Sequence, residues 1–91
     1  MKWIKLFENF GNEWSVVSDR LEKEFEFKDF SEALLFINEL AGICEQQNHH
    51  PEINWVYNKV RLSLSTHDAN DTITEKDLKL SKAIDEILKG I

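Results

Sequence analysis

The stretch NHHPEINWVYNKVRLSLSTH, from Asn48 to His67, decides the fold of this chain and contains all three of its histidines. Much of it alternates between apolar and polar residues, as is typical of strands that bury one face. A two-residue turn at Asn58-Lys59 makes it a β-hairpin. The turn sets apolar residues opposite each other, in the pairs Tyr57 with Val60, Trp55 with Leu62 and Ile53 with Leu64.

The same register predicts that the histidines gather at the open end of the hairpin. Continued outward, it puts His50 opposite His67, with Cβ atoms roughly 5 Å apart, and His49 lies beside them. Pro51 cannot donate to the ladder, so we expect it to splay the strands there. A helix that ends just before the hairpin brings Glu45 to the same place. The sequence therefore predicts a patch of three imidazoles and one carboxylate.

The segments on either side of the hairpin alternate between strand and helix patterns. RLEKEFEF (20–27) has the period of a strand, and Lys23 on its apolar side suggests a sheet edge. DFSEALLFINELAGICEQQ (29–47) has helical spacing, and Asp29 is a suitable N-cap. TITEKDLKLSKAIDEILKGI (72–91) is a second helix, in which Thr74 and Asp77 form a capping box.

These elements predict an α+β fold. A short strand at 14–17 turns at Ser18-Asp19, and a short N-terminal helix is considered at 3–8. The order is β-β-α-β-β-α, and the short connections predict a four-stranded antiparallel sheet with two main helices on one face. Ninety-one residues fit a single domain over 1–91. Because so short a chain has a thin core, we expect a homo-oligomer.

The composition indicates a soluble globular protein, with 42% apolar and 31% charged residues. The net charge of -6 argues against nucleic-acid binding and against anionic membrane surfaces. No apolar run approaches the roughly 20 residues that span a bilayer. Glu8 interrupts the apolar start, so no signal peptide is expected. The single cysteine, Cys44, fits a buried thiol in a reducing cytoplasm.

Four interpretations of the histidine patch remain open from the residues alone. Histidines are common among surface polar residues at a sheet end. A zinc site is disfavoured, because neighbours such as His49 and His50 project in different directions in extended chain. Metal-free acid–base chemistry suits histidine, whose ordinary pKa lies closest to neutrality. A nucleophilic triad is weaker, because nothing marks Ser63, Ser65 or Cys44 as activated.

The stretch EQQNHHPEINWVYNKVRLSLSTH (45–67) resembles the pterin-4a-carbinolamine dehydratase family through HHP, YNKV and STH at their mutual distances. The likeness extends through Trp14 and FEFKDFSEALLFIN upstream and TEKDLKLSKAIDEI downstream. One departure follows the third histidine, where HDANDTIT is one residue longer and has Asn70 and Asp71 where the family has glycine. Asn and Asp tolerate left-handed backbone, so a similar turn is expected.

The resemblance implies dehydration of a 4a-hydroxytetrahydropterin to the quinonoid dihydropterin, without metal or organic cofactor. The 4a-hydroxyl needs an acid to leave as water, and the N5 hydrogen needs a base. By the family pattern His49 and His67 form the acid–base pair, and His50 binds and orients the pterin. The matching substrate-binding or supporting positions are Glu45, Pro51, Asp77 and Trp14. Asp77 also has an interpretation as a helix cap, and Trp14 as a core or rim aromatic.

Two functions from different classes follow from the resemblance. The first is an enzyme, a hydro-lyase that acts on 4a-hydroxytetrahydrobiopterin in tetrahydrobiopterin recycling. The second is a non-catalytic binding module, since proteins of the family are also known as dimerisation cofactors of a transcription factor. The intact histidine set favours the enzyme. The expected partners are a pterin and further copies of the chain, as a dimer or tetramer, with no direct nucleic-acid contact and no membrane.

Overall fold

The computed structural model describes residues 13–90, and these form the predicted α+β fold. The element bounds are β1 Ser15–Val17, β2 Arg20–Glu26, α1 Phe30–Gln47, β3 Glu52–Val56, β4 Lys59–Leu64 and α2 Glu75–Gly90, with a 3-10 helix at His67–Ala69. The N-terminal helix considered at 3–8 lies outside the described residues. Within 13–90, no helix is long and apolar enough to cross a membrane.

The sheet has four antiparallel strands in the order β1-β2-β4-β3, which confirms the predicted four-stranded antiparallel sheet. Its two central strands bury alternate residues against the helices, because side chains of a strand alternate between the faces. Phe25 of β2 packs on Phe36 of α1 with ring centroids 5.0 Å apart. The core that holds the helices on this face comprises Leu21, Phe25, Phe27, Ala33, Phe36, Leu40, Cys44, Val60, Leu62, Leu64, Leu80, Ile84 and Leu88.

The turn between β3 and β4 lies at Tyr57-Asn58, so the predicted turn at Asn58-Lys59 is wrong by one residue. Ile53 pairs with Leu62, and Trp55 pairs with Val60. Each partner has moved by two positions along β4, so every side chain keeps its predicted face. Asn58 explains the choice, because its side-chain amide donates to the Phe27 carbonyl over 2.7 Å and its own carbonyl accepts from Phe27 N–H. These long-range bonds fix the turn.

Lys23 lies on the interior strand β2, so the sheet edge suggested by this residue is wrong. Its side chain is buried, and its ammonium donates to Asp85 Oδ1 over 2.9 Å. The ammonium also lies over the ring of Trp14, at 5.6 Å, and Trp14 Nε1 donates to the same carboxylate. An ion pair with α2, rather than solvent at an edge, therefore compensates this buried charge.

Asp85→Ala is expected to destabilise the fold by about 3 kcal/mol, because it leaves the Lys23 ammonium buried and unpaired. The partial exposure of the Asp85 carboxylate, at 40%, keeps the loss at the low end for such pairs. Lys23→Met, which replaces the charge with an apolar chain of similar length, should change the free energy of unfolding by less than about 1 kcal/mol. Urea denaturation of both variants measures these values. Equal losses in the two variants would contradict the assignment.

Candidate active site

The hydrogen bond between His49 and Asp77 is the buried centre of the candidate site. His49 Nε2–H donates to Asp77 Oδ1 over 2.6 Å. The His49 side chain is 12% exposed and that of Asp77 is 0% exposed. Asn48, in left-handed conformation with φ 51°, ends α1, and His49 N–H then donates back to the Cys44 carbonyl. The end of α1 thus aims His49 at the beginning of α2.

Asp77 acts as a helix cap and as the partner of His49 at the same time. Its second oxygen, Oδ2, accepts from Thr74 N–H over 2.9 Å and from Thr66 Oγ1 over 2.7 Å. Burial acts to raise the pKa of Asp77, but the hydrogen bonds from His49, Thr74 and Thr66 outweigh it and hold that pKa below its ordinary value. Asp77 is therefore a carboxylate at neutral pH. The two interpretations that the sequence left open for Asp77 are compatible.

Thr66 connects this network to the third histidine. Its hydroxyl lies 2.5 Å from Thr74 Oγ1, and it directly precedes His67. The His67 ring is 92% exposed, and its Nδ1 lies 3.3 Å from Asp71 Oδ1. Thr66 was not predicted as a site residue from the sequence, although it is the central residue of the STH motif, in which only the histidine was predicted to be functional.

The loop after His67 keeps a left-handed turn without glycine, as expected. Asn70 and Asp71 have φ values of 60° and 58°. Asp71 N–H donates to the Thr66 carbonyl over 3.0 Å, and Thr66 N–H donates to the Thr72 carbonyl over 2.9 Å. Backbone hydrogen bonds therefore hold the chain around Thr66 and His67 in place, although this loop departs from the family pattern.

His50 faces a different part of the surface. Its Nε2 lies 2.7 Å from Glu45 Oε2, and both side chains are largely exposed. The two residues line a mainly apolar hollow of about 220 Å³ between α1 and β3, to which Pro51 and Ile53 also contribute. Glu45 thus has the imidazole partner that its position suggested.

The predicted cross-strand pair of His50 and His67 is wrong. The ladder ends at Leu64, and His67 lies in the 3-10 helix, so the hairpin does not extend to either histidine. Instead, each of the three rings bonds a carboxylate of its own. Across residues 13–90, no group of three or more His, Cys, Asp or Glu side chains has an arrangement that could hold a metal ion.

Two other candidates lie outside this network. Trp14 packs against Phe25 and bonds Asp85, two turns of α2 beyond Asp77, so it contacts the core and not the histidines. Cys44 is 3% exposed, and burial, with a smaller effect of the neighbouring Glu45 charge, raises the pKa of its thiol. A raised pKa disfavours the reactive thiolate, as expected for a structural cysteine.

Most of the chain has counterparts in known proteins. Residues 4–87 match the model of a family described as Pterin 4 alpha carbinolamine dehydratase. This chain belongs to the pterin-4a-carbinolamine dehydratase family. A relative from Prochlorococcus marinus (strain MIT 9515), provisionally named as such a dehydratase, is 47% identical over 84% of this chain and 78% of its own. A relative from Sulfurisphaera tokodaii with the same provisional name is 47% identical over 82% of this chain and 80% of its own.

Solved structures of the pterin dehydratase type have the same fold. One is described as a transcriptional coactivator/pterin dehydratase from Brucella melitensis, with a TM-score of 0.76 and 36% identity over 81% of this chain and 80% of that one. Another is described as a pterin dehydratase-like RuBisCO assembly factor in the alpha-carboxysome, with a TM-score of 0.71 over 82% of this chain and 88% of that one. The latter is 22% identical and shows likeness of fold alone.

Proposed function

We propose that this protein is a 4a-hydroxytetrahydrobiopterin dehydratase, a cytoplasmic hydro-lyase of tetrahydrobiopterin recycling that works without metal or organic cofactor. The observation that carries the proposal is the buried hydrogen bond of His49 to Asp77. A histidine held by a carboxylate in a dehydratase-family chain is suited to proton transfer. Membership of the family supports a pterin as the substrate, and the geometry supports His49 as a residue that can transfer a proton to or from it.

The bond to Asp77 gives His49 the role of the base. A neutral imidazole carries one hydrogen, and donation from Nε2 leaves Nδ1 as an unprotonated acceptor. As the N5 electron pair forms the N5=C4a double bond and expels the 4a-hydroxyl, His49 Nδ1 accepts the N5 hydrogen. The Asp77 carboxylate stabilises the imidazolium that results.

His67 provides the acid in this scheme. Asp71 engages its Nδ1, so Nε2–H of the protonated ring is left to protonate the departing hydroxyl, which leaves as water. Each turnover therefore moves one proton from His67 to the hydroxyl and one from N5 to His49. The high exposure of His67 lets solvent return its proton.

His50 has the binding role. Glu45 orients its ring beside the apolar hollow between α1 and β3. At about 220 Å³ this hollow is smaller than a whole-ligand pocket, so it takes one edge of the heterocycle while the rest of the ring extends towards His49. Pro51 fixes the backbone that separates His50 from β3.

The experiment that tests this function is a stopped-flow record of 4a-hydroxytetrahydrobiopterin decay after the protein has been dialysed against a chelator. Catalytic amounts of the dialysed protein should accelerate the decay. Activity that is lost on chelation and restored by zinc would contradict the metal-free mechanism while leaving the dehydratase assignment in place.

A second candidate function is a protein-binding module of the coactivator type, which the description of the Brucella structure favours. It requires exposed apolar surface, and such surface surrounds β3, where Ile53 is 44% and Tyr57 61% exposed. A folded protein without any effect on carbinolamine decay would support this candidate over the enzyme.

We propose that the same surface joins copies of the chain into a dimer or tetramer. Among the described strands β3 pairs only with β4, so it is an edge of the sheet. Phe30 and Leu34 of α1 are 48% and 41% exposed, and Phe30 stacks on Trp55 of β3 at 4.7 Å. The unpaired N–H and C=O groups of an edge strand, next to exposed apolar side chains, are a template for pairing with a strand of a second copy.

Ile53→Lys is expected to convert the oligomer to a smaller species, because a charge on β3 would be buried by the second strand. Val17→Lys on β1, at the opposite edge of the sheet, introduces the same charge at a comparably exposed apolar position and should leave the assembly intact. Light scattering at micromolar concentration measures the mass of each. A wild-type monomer would contradict the oligomer, and equal effects of the two variants would contradict its location.

A further inference from the structure

A second cavity lies beside His49, on the polar side of the site. Its volume is about 180 Å³, and it is lined by Gln47, Asn48 and His49 at the end of α1 and by Lys76 and Lys79 at the beginning of α2. Whole small-molecule pockets usually start at roughly 300 Å³, so this cavity suits a substituent rather than an entire ligand.

The lining of this cavity is cationic in a chain whose net charge is -6. Lys76 and Lys79 are three residues apart on a helix, so their side chains are neighbours. No ion pair within residues 13–90 includes either ammonium. Asp77, which lies between them in sequence, is fully buried and uses its oxygens on His49, Thr66 and Thr74. Two exposed positive charges therefore face one cavity.

Gln47 adds a polar side chain to the wall of this cavity. Its carboxamide oxygen is buried and has no hydrogen-bond partner among the described residues, although buried polar atoms are nearly always paired. Because this oxygen has almost no solvent-accessible surface, a ligand in the cavity does not reach it, and the case for a ligand rests on the two ammonium groups.

The chemistry of the pterin indicates which substituent enters the cavity. The carbon that carries the side chain, C6, is bonded to N5, and the proposed function places the N5 hydrogen at His49. A side chain on C6 then begins next to His49, which is part of the cavity wall.

We propose that the substrate is a pterin whose C6 side chain ends in an anionic group, a phosphate or a carboxylate, and that Lys76 and Lys79 bind that group. This inference rests on the proposed dehydratase function for the position of the ring. It replaces the neutral side chain of biopterin with an anionic one, so 4a-hydroxytetrahydrobiopterin is a substrate that shares the reacting ring but lacks the group that the two lysines bind.

Calorimetric binding at low salt tests it with stable probes. Dihydroneopterin and dihydroneopterin 3′-phosphate differ only in the anion, dihydrofolate carries carboxylates, and inorganic phosphate carries no ring. Wild type should bind the phosphate ester about 10-fold more tightly than dihydroneopterin, as two exposed charge pairs allow, and salt should reduce the difference. Lys76→Met/Lys79→Met should reduce the ratio to about 1. Lys28→Met/Lys59→Met, which removes the same charge at exposed positions outside α2, should preserve it.

Each outcome decides the proposal. Equal wild-type affinity for dihydroneopterin and its phosphate, with no preference for dihydrofolate, would overturn it, and so would a preference that survives Lys76→Met/Lys79→Met. Preference for dihydrofolate that the lysine pair controls would support a carboxylate as the anion. Inorganic phosphate that binds as tightly as the ester would indicate a free-anion site and would overturn the substrate class. A lysine-dependent preference without any dehydration would uphold the subsite and defeat the dehydratase function instead.

Discussion

His49→Ala and His67→Ala are each expected to lower kcat by about 10²- to 10⁴-fold, the usual contribution of a general acid or base. The loss should fall on kcat and on kcat/KM alike, because proton transfer occurs only in the transition state. His50→Ala is the matched control from the same motif. It should mainly raise KM, because His50 lines the apolar hollow and has no part in the Asp77 network.

The folded state of these variants must be checked alongside their rates. His67 is almost entirely exposed, so His67→Ala should retain wild-type stability. His49→Ala removes a partner of the buried Asp77 and should cost about 1 to 3 kcal/mol in the free energy of unfolding. Circular dichroism with steady-state kinetics separates the two effects. Wild-type turnover in folded His49→Ala and His67→Ala would show that the acid–base assignment is wrong.

Asp77→Asn is expected to lower kcat by about 10- to 100-fold and to destabilise the fold by about 2 to 4 kcal/mol. The amide keeps one acceptor but presents an NH₂ group to one of the donors His49, Thr66 and Thr74, which loses its bond. Asp77 is a positioning residue that acts through His49, so we expect its substitution to cost less in kcat than the loss of His49 itself.

Asp29→Asn is the matched control for the capping role of Asp77. Asp29 caps α1 through a bond from Glu32 N–H, at the opposite end of that helix from His49. Its substitution should reduce stability by less than about 1 kcal/mol and leave kcat unchanged. If Asp77→Asn behaves in the same way, Asp77 is a cap alone. A change in the pH profile of kcat/KM for Asp77→Asn, and not for Asp29→Asn, supports its action on His49.

The pH dependence of stability gives a further measure of Asp77. Its pKa is lower in the folded state than in the unfolded chain, so its contribution is complete above the ordinary Asp pKa of about 4 and is lost as the pH falls through the folded value. The stability difference between wild type and Asp77→Asn should therefore shrink below about pH 4. A difference that stays constant down to pH 2 would contradict the charged hydrogen-bond network.

The sequence predicted the elements but not the contacts that connect distant parts of the chain. Alternation in RLEKEFEF and helical spacing after Asp29 were sufficient to predict a strand and a helix, because burial of one face dictates the period of each. The turn at Tyr57-Asn58 could not be predicted locally, since Phe27, 31 residues away from Asn58, selects it. The same limit applies to Lys23, whose partner Asp85 lies on another element.

The candidate site shows the same division. The spacing of Thr74 and Asp77 predicted a cap, and the cap exists. The bond of Asp77 to His49 joins the end of α1 to the beginning of α2. Thr66, which follows β4, donates to the same carboxylate. The three residues therefore meet only once the helices have packed on the sheet. The hairpin register, extended beyond its last pair, placed His50 and His67 together where the chain in fact leaves the sheet.

The central claim is that this chain dehydrates a pterin-4a-carbinolamine by acid–base chemistry at His49 and His67. The most direct measurement is one stopped-flow series that follows 4a-hydroxytetrahydrobiopterin decay in buffer, with wild type and with His49→Ala/His67→Ala at equal substoichiometric concentration. We predict decay that accelerates in proportion to wild-type concentration and returns nearly to the buffer rate with the double variant. Decay at the buffer rate with folded wild type, or equal acceleration by both proteins, would contradict the account.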